Sequence, residues 1–186
     1  VESSKRWDGG YVMAGMMGHG DAFVLRDPSG IRPAYMYKDD EVLVVASERP
    51  VIQTVFNVDI NDVKELKPGF AAIIKKDGTF TEQQIIEPLE KKACSFERIY
   101  FSRGNDADIY RERQQLGRYL VPQVLKAIDY DLENTVFSYI PNTAEVAFGG
   151  LVEGIDEHIN KIKATEILKL GAHVSEPALS KILSMH

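Results

Sequence analysis

Cysteine occurs once in the 186 residues, at Cys94, so no disulfide forms within the chain and the fold rests on packing. A secreted framework of paired cysteines is excluded. No apolar run approaches the roughly 20 residues that cross a bilayer, and the opening VESSKRWDGG has no hydrophobic stretch behind its charges. Basic residues do not dominate either: 22 Lys and Arg stand against 28 Asp and Glu, and the net charge of −6 offers no overall field to nucleic acid or anionic lipid. Internal repeats and low-complexity tracts are missing. A cytoplasmic protein with neither nucleic acid nor membrane as partner is expected. The 44% of apolar residues suffices for one good core or parts of two. Val1 is not an initiator Met and Leu183-Ser184-Met185-His186 stops inside a helical pattern, so both ends are read as cuts in a longer chain.

What is present from Tyr11 to about Ile86 is a succession of short β-prone runs divided by turn chemistry, which predicts a meander of antiparallel strands. YVMAGMM and AFVLRD are separated by Gly18-His19-Gly20. Asp27-Pro28-Ser29-Gly30 makes a turn in which Pro fixes one φ and Gly allows a positive one. AYMYK and EVLVVAS join through Lys38-Asp39-Asp40 as a hairpin. A short helical or irregular stretch follows Glu48-Arg49-Pro50 to Val55, then FAAIIKK and TFTEQQII turn about Asp77-Gly78. Charged EPLEKK, residues 87–92, reads as a linker.

Beyond it, Ile109 to Asp131 has helical spacing at Leu116, Leu120, Val124 and Ile128, with Pro122 expected to kink or interrupt the helix. TVFSYIP reads as a buried strand running into a loop at Pro141-Asn142-Thr143. Strand, loop and helix in that order predict an α/β domain with a parallel sheet. The last third is helical, with Ile155, Ile159, Ile162 and Leu170 on one face, Gly171 as its stop, and Ser175 as cap of a final helix ALSKILSM.

Isolated chemical signals are weak. Gly15-x-x-Gly18-x-Gly20 is half of a phosphate-cradling pattern, but a strand follows where a helix N-terminus is needed, so turn glycines are the simpler account. His19 titrates near neutrality and suits a general base, yet no nucleophile lies near it in the chain. Asp27, Arg32, Glu48 and Arg49 are charged residues set among apolar strands, where burial demands paired partners.

Taken together, GHGDAFVLRDPSGIRPAYMY followed by VVASE resembles the glutaminase domain of the glutamine phosphoribosylpyrophosphate amidotransferase family, with its GHG, RDP-x-GIRP and ASE pattern. CSFERIYFSR is similar to that family's opening of the phosphoribosyltransferase domain. Arg113-x-x-Leu116-Gly117 and Ile140-Pro141-Asn142-Thr143 resemble the R-x-x-L-G and V-P-D-[ST] segments that follow in the same order. The resemblance spans about Gly10 to Ala147. Ala34 stands where Leu is usual, Gly104-Asn105-Asp106 replaces Pro-Asp-Ser, the stretch to Arg113 is short, and Asn142 replaces an acid.

The resemblance implies an α+β chain. Residues 1–86 would be the C-terminal part of an N-terminal-nucleophile (αββα) glutaminase domain, 87–92 a linker, 93–148 the start of an α/β type I phosphoribosyltransferase domain, and 149–186 a helical insertion. It implies Thr143 as a Mg²⁺ contact, Asn142 and Thr143 as substrate contacts, and Cys94 as a ligand of a [4Fe–4S] cluster in one branch. A hydrated Mg²⁺ carrying a diphosphate suits oxygen ligands, whereas a cluster needs about four thiolates and this chain has one. Glutamine and phosphoribosylpyrophosphate are the implied substrates and a homo-oligomer the implied assembly.

The glutaminase step needs an N-terminal cysteine thiolate, and Val1 has no nucleophile. The transfer step needs a paired-acid, Gly/Thr-rich loop, and the Asp39-Asp40 pair lies in the other domain. An inactive fragment of the enzyme is therefore expected. Two rivals are a glutaminase of the glucosamine-6-phosphate or asparagine type and a catalytically dead interaction module. YFSR followed by R-x-x-L-G argues against the first.

Overall fold

A computed structural model describes residues 3–185, in which the chain is α+β and divides into two compact units between Asp106 and Ala107. In the first unit, β1 (Val12–Met16), β2 (Ala22–Arg26), β6 (Phe70–Ile74) and β7 (Phe80–Gln84) form a sheet in the order β1-β2-β6-β7. A second sheet, in the order β4-β3-β5, contains β3 (Tyr35–Lys38), β4 (Leu43–Ala46) and β5 (Lys64–Glu65). All pairs are antiparallel, as expected. The single meander is not what forms, because the chain changes sheet after β2 and again after β5.

Turn chemistry sets the hairpins. Asp39 Oδ1 accepts hydrogen bonds from the Glu41 and Val42 amides, both at 2.8 Å, which closes β3 onto β4. At the other hairpin Asp77 Oδ1 accepts from the Thr79 amide at 2.9 Å, and Gly78 takes φ +85°. The inner faces of the sheets meet over Ala34, Met36, Leu66 and Ala72, with Val24, Leu43, Val45, Phe70 and Phe80 packed around them. Against β3 and β4 lies α1 (Arg49–Phe56), which has Pro50 in its first turn, buries Ile52 completely, and ends at Asn57 in the left-handed region.

The second unit is helical. The helices α2 (Ala107–Ala127) and α3 (Glu145–Leu170) pack along each other, and α4 (Glu176–Leu183) rests on α3. Four sequence expectations are corrected here. The buried stripe of α2 is Ile109, Arg113, Gly117, Val121 and Leu125, one residue round from the line through Leu116 and Leu120, which are 45% and 47% exposed. Glycine decides it: a Cβ on Gly117 would lie 1.7 Å from the Ala147 carbonyl oxygen, so α3 approaches on the face that has no side chain. Pro122 does not interrupt α2, because its ring is on the exposed side and the flanking Val121 and Leu125 are held in the core. TVFSYIP is not a ladder strand, and no parallel sheet occurs among the described residues of this unit. Gly171 does end α3, whereas Ser175 occupies the cap position of α4 without a side-chain hydrogen bond. Among the described residues no helix is long and apolar enough to cross a membrane.

Candidate functional site

Two consecutive charged residues at the end of β2 and just after it, Arg26 and Asp27, are 1% and 0% exposed. A buried carboxylate is tolerable only with donors around it. Asp27 Oδ1 accepts from the Ser29 and Ile31 amides at 3.1 and 2.9 Å, and Oδ2 accepts from the Arg32 and Tyr11 amides at 3.1 and 3.3 Å. The Arg26 guanidinium points into the same loop from the other side. It donates to the carbonyls of Arg32, Leu66 and Gly30 at 2.7, 2.7 and 3.0 Å and to Glu65 Oε1 at 2.8 Å. Gly30 has φ +59°, and a Cβ there would press on Pro68 Cγ at 2.9 Å. The RDPSGIRP run thus folds into a self-saturated knot of backbone and charge. It exposes no reacting group.

Glu65 bridges this knot to solvent, since it also accepts from Lys91 Nζ at 2.8 Å. Burial by itself would raise its carboxyl pKa, but the hydrogen bonds from Lys91 and Arg26 and their charges outweigh that and hold it below the ordinary value. The Tyr11 hydroxyl is pushed up by burial and then by the charge of Asp27.

The second motif, CSFERIYFSR, lies against the first. The amides of Leu89, Lys92 and Cys94 donate to the carbonyls of Pro28, Ser29 and Ile31 at 2.8, 2.8 and 3.2 Å, so the expected linker is strapped to the RDPSGI turn. Arg32 then pairs with Glu97, which is 8% exposed and opens the π-helical turn Glu97–Phe101. Glu48 faces Arg103 at 3.7 Å, and Arg49 holds Asp106 at 2.9 and 2.6 Å. As packed, the first compact unit runs to Asp106, and within residues 93–106 Cys94, Glu97, Arg103 and Asp106 contact the RDPSGIRP loop and the start of α1. The sequence marks Asp27, Arg32, Glu48 and Arg49 as charges among apolar strands that would need partners if buried; all four have partners, although only Asp27 is fully buried and Arg32 is exposed. Sequence reading did not single out Arg26, although Arg26 opens the RDP run and is an arginine at the inner end of an apolar strand.

The remaining candidates stand apart. His19 is exposed in the turn between β1 and β2, with Nε2 at 3.1 Å from Asp21 Oδ2, and Lys75 Nζ holds the same oxygen at 2.7 Å. Hydrogen bonds from Lys75, Lys76 and His19 keep the Asp21 carboxyl well below the usual range. This is a turn clamp. Asn142 and Thr143 are both exposed in the turn before α3, where the Asn142 carbonyl accepts from the Glu145 amide at 3.2 Å. Cys94 is half-buried and is the one thiol of the chain. Among the described residues no three His, Cys, Asp or Glu side chains gather where a metal would sit. The exposed hydroxyl oxygen of Thr143 is of a kind that a hydrated Mg²⁺ carrying a diphosphate can contact, but it is not a metal cage. A four-iron cluster does not fit this chain, which offers a single thiolate.

No protein-family model matches the chain. It is similar to curated amidophosphoribosyltransferases at modest identity. That of Lachancea kluyveri is 32% identical over 148 residues, which is 73% of this chain and 28% of the relative. That of Escherichia coli is 29% identical over 146 residues, again 73% and 28%. The fold resembles the glutamine phosphoribosylpyrophosphate amidotransferase from B. subtilis, complexed with ADP and GMP, at a TM-score of 0.61 and 24% identity over 83% of this chain and 32% of that one. It also resembles a structure described as the allosteric regulatory enzyme of purine biosynthesis, at a TM-score of 0.52 and 26% identity over 72% of this chain and 28% of that one. The chain thus spans less than a third of the length of the relatives it matches.

Proposed function

We propose that this chain is scaffold from an amidophosphoribosyltransferase of purine synthesis. Residues 1–86 belong to its N-terminal-nucleophile glutaminase domain, 87–92 connect, 93–148 begin its type I phosphoribosyltransferase domain, and 149–186 are a helical insertion. The whole enzyme releases ammonia from glutamine and passes it to C1 of phosphoribosylpyrophosphate. There the C1–N bond forms as the C1–O bond breaks, and diphosphate leaves with its Mg²⁺ to give phosphoribosylamine. Thr143 would contact the hydrated Mg²⁺ through its hydroxyl oxygen, Asn142 and Thr143 would contact the substrate with amide N–H and hydroxyl O–H donors, and Cys94 would be one ligand where the parent holds a cluster. A cytoplasmic homo-oligomer is the setting.

The observation that carries this reading is the junction of the two motifs. The RDPSGIRP run is a buried knot around Arg26 and Asp27, and the segment bearing ERIYFSR is locked on it through Arg32 and Glu97. Motifs that match a family in order and also pack together support a shared scaffold more than either does alone. A generic interaction module has no need of that order.

The chain alone performs neither step, since Cys94 is its only thiol and it has no paired-acid loop in its second unit. Incubated with glutamine, with or without phosphoribosylpyrophosphate and Mg²⁺, it is expected to release no glutamate. Glutamate formation proportional to the chain overturns that. Reading the coding sequence upstream of Val1 tests the parent: a cysteine directly after the initiator Met supports the enzyme, and its absence favours the interaction module.

A further inference from the structure

Arg32 has a rigid mount and a reaching side chain. Its amide donates to Asp27 Oδ2 at 3.1 Å and its carbonyl accepts from Arg26 Nε at 2.7 Å, so both main-chain groups are tied to fully buried charges. From this mount the half-exposed guanidinium meets both ends of the π-helical turn Glu97–Phe101. It pairs with the carboxylate of Glu97, which opens the turn, and lies 6.0 Å from the centroid of the Phe101 ring, which closes it. A π-helical turn is rare and lasts where its surroundings hold it. Here the Ser102 amide closes the turn on the Glu97 carbonyl at 2.6 Å.

From Leu89 to Asp106 the buried residues are Glu97 and Asp106, both acids and each held by an arginine, Arg32 and Arg49. Paired charge and main-chain bonds therefore set the seat of this segment on the first unit. Both carboxylates are already shut from solvent by residues 3–185, at 8% and 3% exposure, so these pairs are complete within the chain described. Asp106 is followed at once by α2.

We propose that Arg32 is a positioning residue of the whole enzyme, which fixes the first segment of the phosphoribosyltransferase domain on the glutaminase scaffold and so governs how much ammonia passes from one site to the other. This role rests on the reading of residues 93–148 as the start of that domain, and adds a residue to it. Arg32 touches no reacting group and acts through Glu97 and Phe101. Ammonia has to leave one domain and be taken up in the other, and ammonia that escapes into neutral water is protonated and no longer a nucleophile. Capture therefore depends on where the second domain starts, and a displacement of about 1 Å can cost on the order of a hundredfold in rate. Glutamine hydrolysis alone, or transfer from ammonia supplied in solution, has no such dependence.

The test compares three rates in the full-length enzyme: phosphoribosylamine formed from glutamine, phosphoribosylamine formed from an added ammonium salt at alkaline pH, and glutamate released. Glu97→Gln keeps the side-chain shape and leaves the half-exposed Arg32 to water. It should lower the glutamine-supported rate at least about tenfold while the other two rates stay within about twofold, so that glutamate is formed in excess of product. Arg32→Gln should match it, and the double variant should lose no more than either single one. Arg32→Lys, which keeps the charge without the planar guanidinium, should fall between. Equal losses in all three rates, or an unchanged ratio of glutamate to phosphoribosylamine, would each overturn the proposal. A wild type with neither half-reaction would instead overturn the enzymatic reading beneath it. Far-UV circular dichroism establishes that the variants fold, and should Glu97→Gln not fold, the same ratio is measured on Arg32→Lys.

Discussion

Arg49, at the first position of α1, holds Asp106 with two hydrogen bonds, Nε to Oδ2 at 2.9 Å and Nη2 to Oδ1 at 2.6 Å. The two residues are 57 positions apart, and Asp106 is 3% exposed. A bidentate guanidinium–carboxylate pair with one partner buried is among the stronger polar contacts a fold can make. It fixes the end of the strap that begins at Leu89.

Asp106→Ala is expected to destabilise the first unit by about 2 kcal/mol, because it leaves the Arg49 guanidinium half-buried without its carboxylate. Urea unfolding measures this. Arg103→Ala serves as the comparison, since its contact with Glu48 is longer, at 3.7 Å, and its side chain is 73% exposed; a loss below about 0.5 kcal/mol is expected there.

Gly117 and Gly150 set the distance between α2 and α3. A Cβ at Gly150 would lie 1.9 Å from the Gln114 carbonyl oxygen, and backbone cannot step aside as a side chain can. Gly117→Ala or Gly150→Ala should therefore lower stability by about 3 kcal/mol as the helices are forced apart. Gly149→Ala, where nothing lies within 4 Å, should raise it by about 0.5–1 kcal/mol through helix propensity. Thermal unfolding followed at the helical circular dichroism band distinguishes the three, and equal effects at all of them would contradict the packing described.

Glu65 predicts an acid dependence with a definite sign. Its folded carboxyl pKa lies below the ordinary 4.5, since bonds from Lys91 and Arg26 exceed the opposing effect of burial. A depressed folded value means that the ionised form stabilises the fold above pH 4.5, and that this contribution is lost as pH falls through the folded pKa. Glu65→Gln has no proton to gain. The difference in urea midpoint between wild type and Glu65→Gln should hold constant at neutral pH and shrink below pH 4.5.

The sequence by itself determined the features that depend on a few neighbouring residues. The Asp27-Pro28-Ser29-Gly30, Asp39 and Asp77-Gly78 turns, the antiparallel runs between them, and the stop at Gly171 were legible because proline, glycine and short acceptors constrain φ or bond locally. The two motifs were legible as a family resemblance for the same reason, being contiguous runs. What the tertiary structure decided depends on partners far along the chain. It turned α2 so that Gly117 rather than Leu116 faces α3, which no count of apolar residues anticipates, since the approach of two backbones is limited by the smallest residue. It left TVFSYI, a sound strand by propensity, without a ladder, because a strand needs a neighbour that residues 3–185 do not supply. And it drew residues 93–106 onto the first unit through Glu97 and Asp106, whose charges say only that partners are needed and not where burial makes them count.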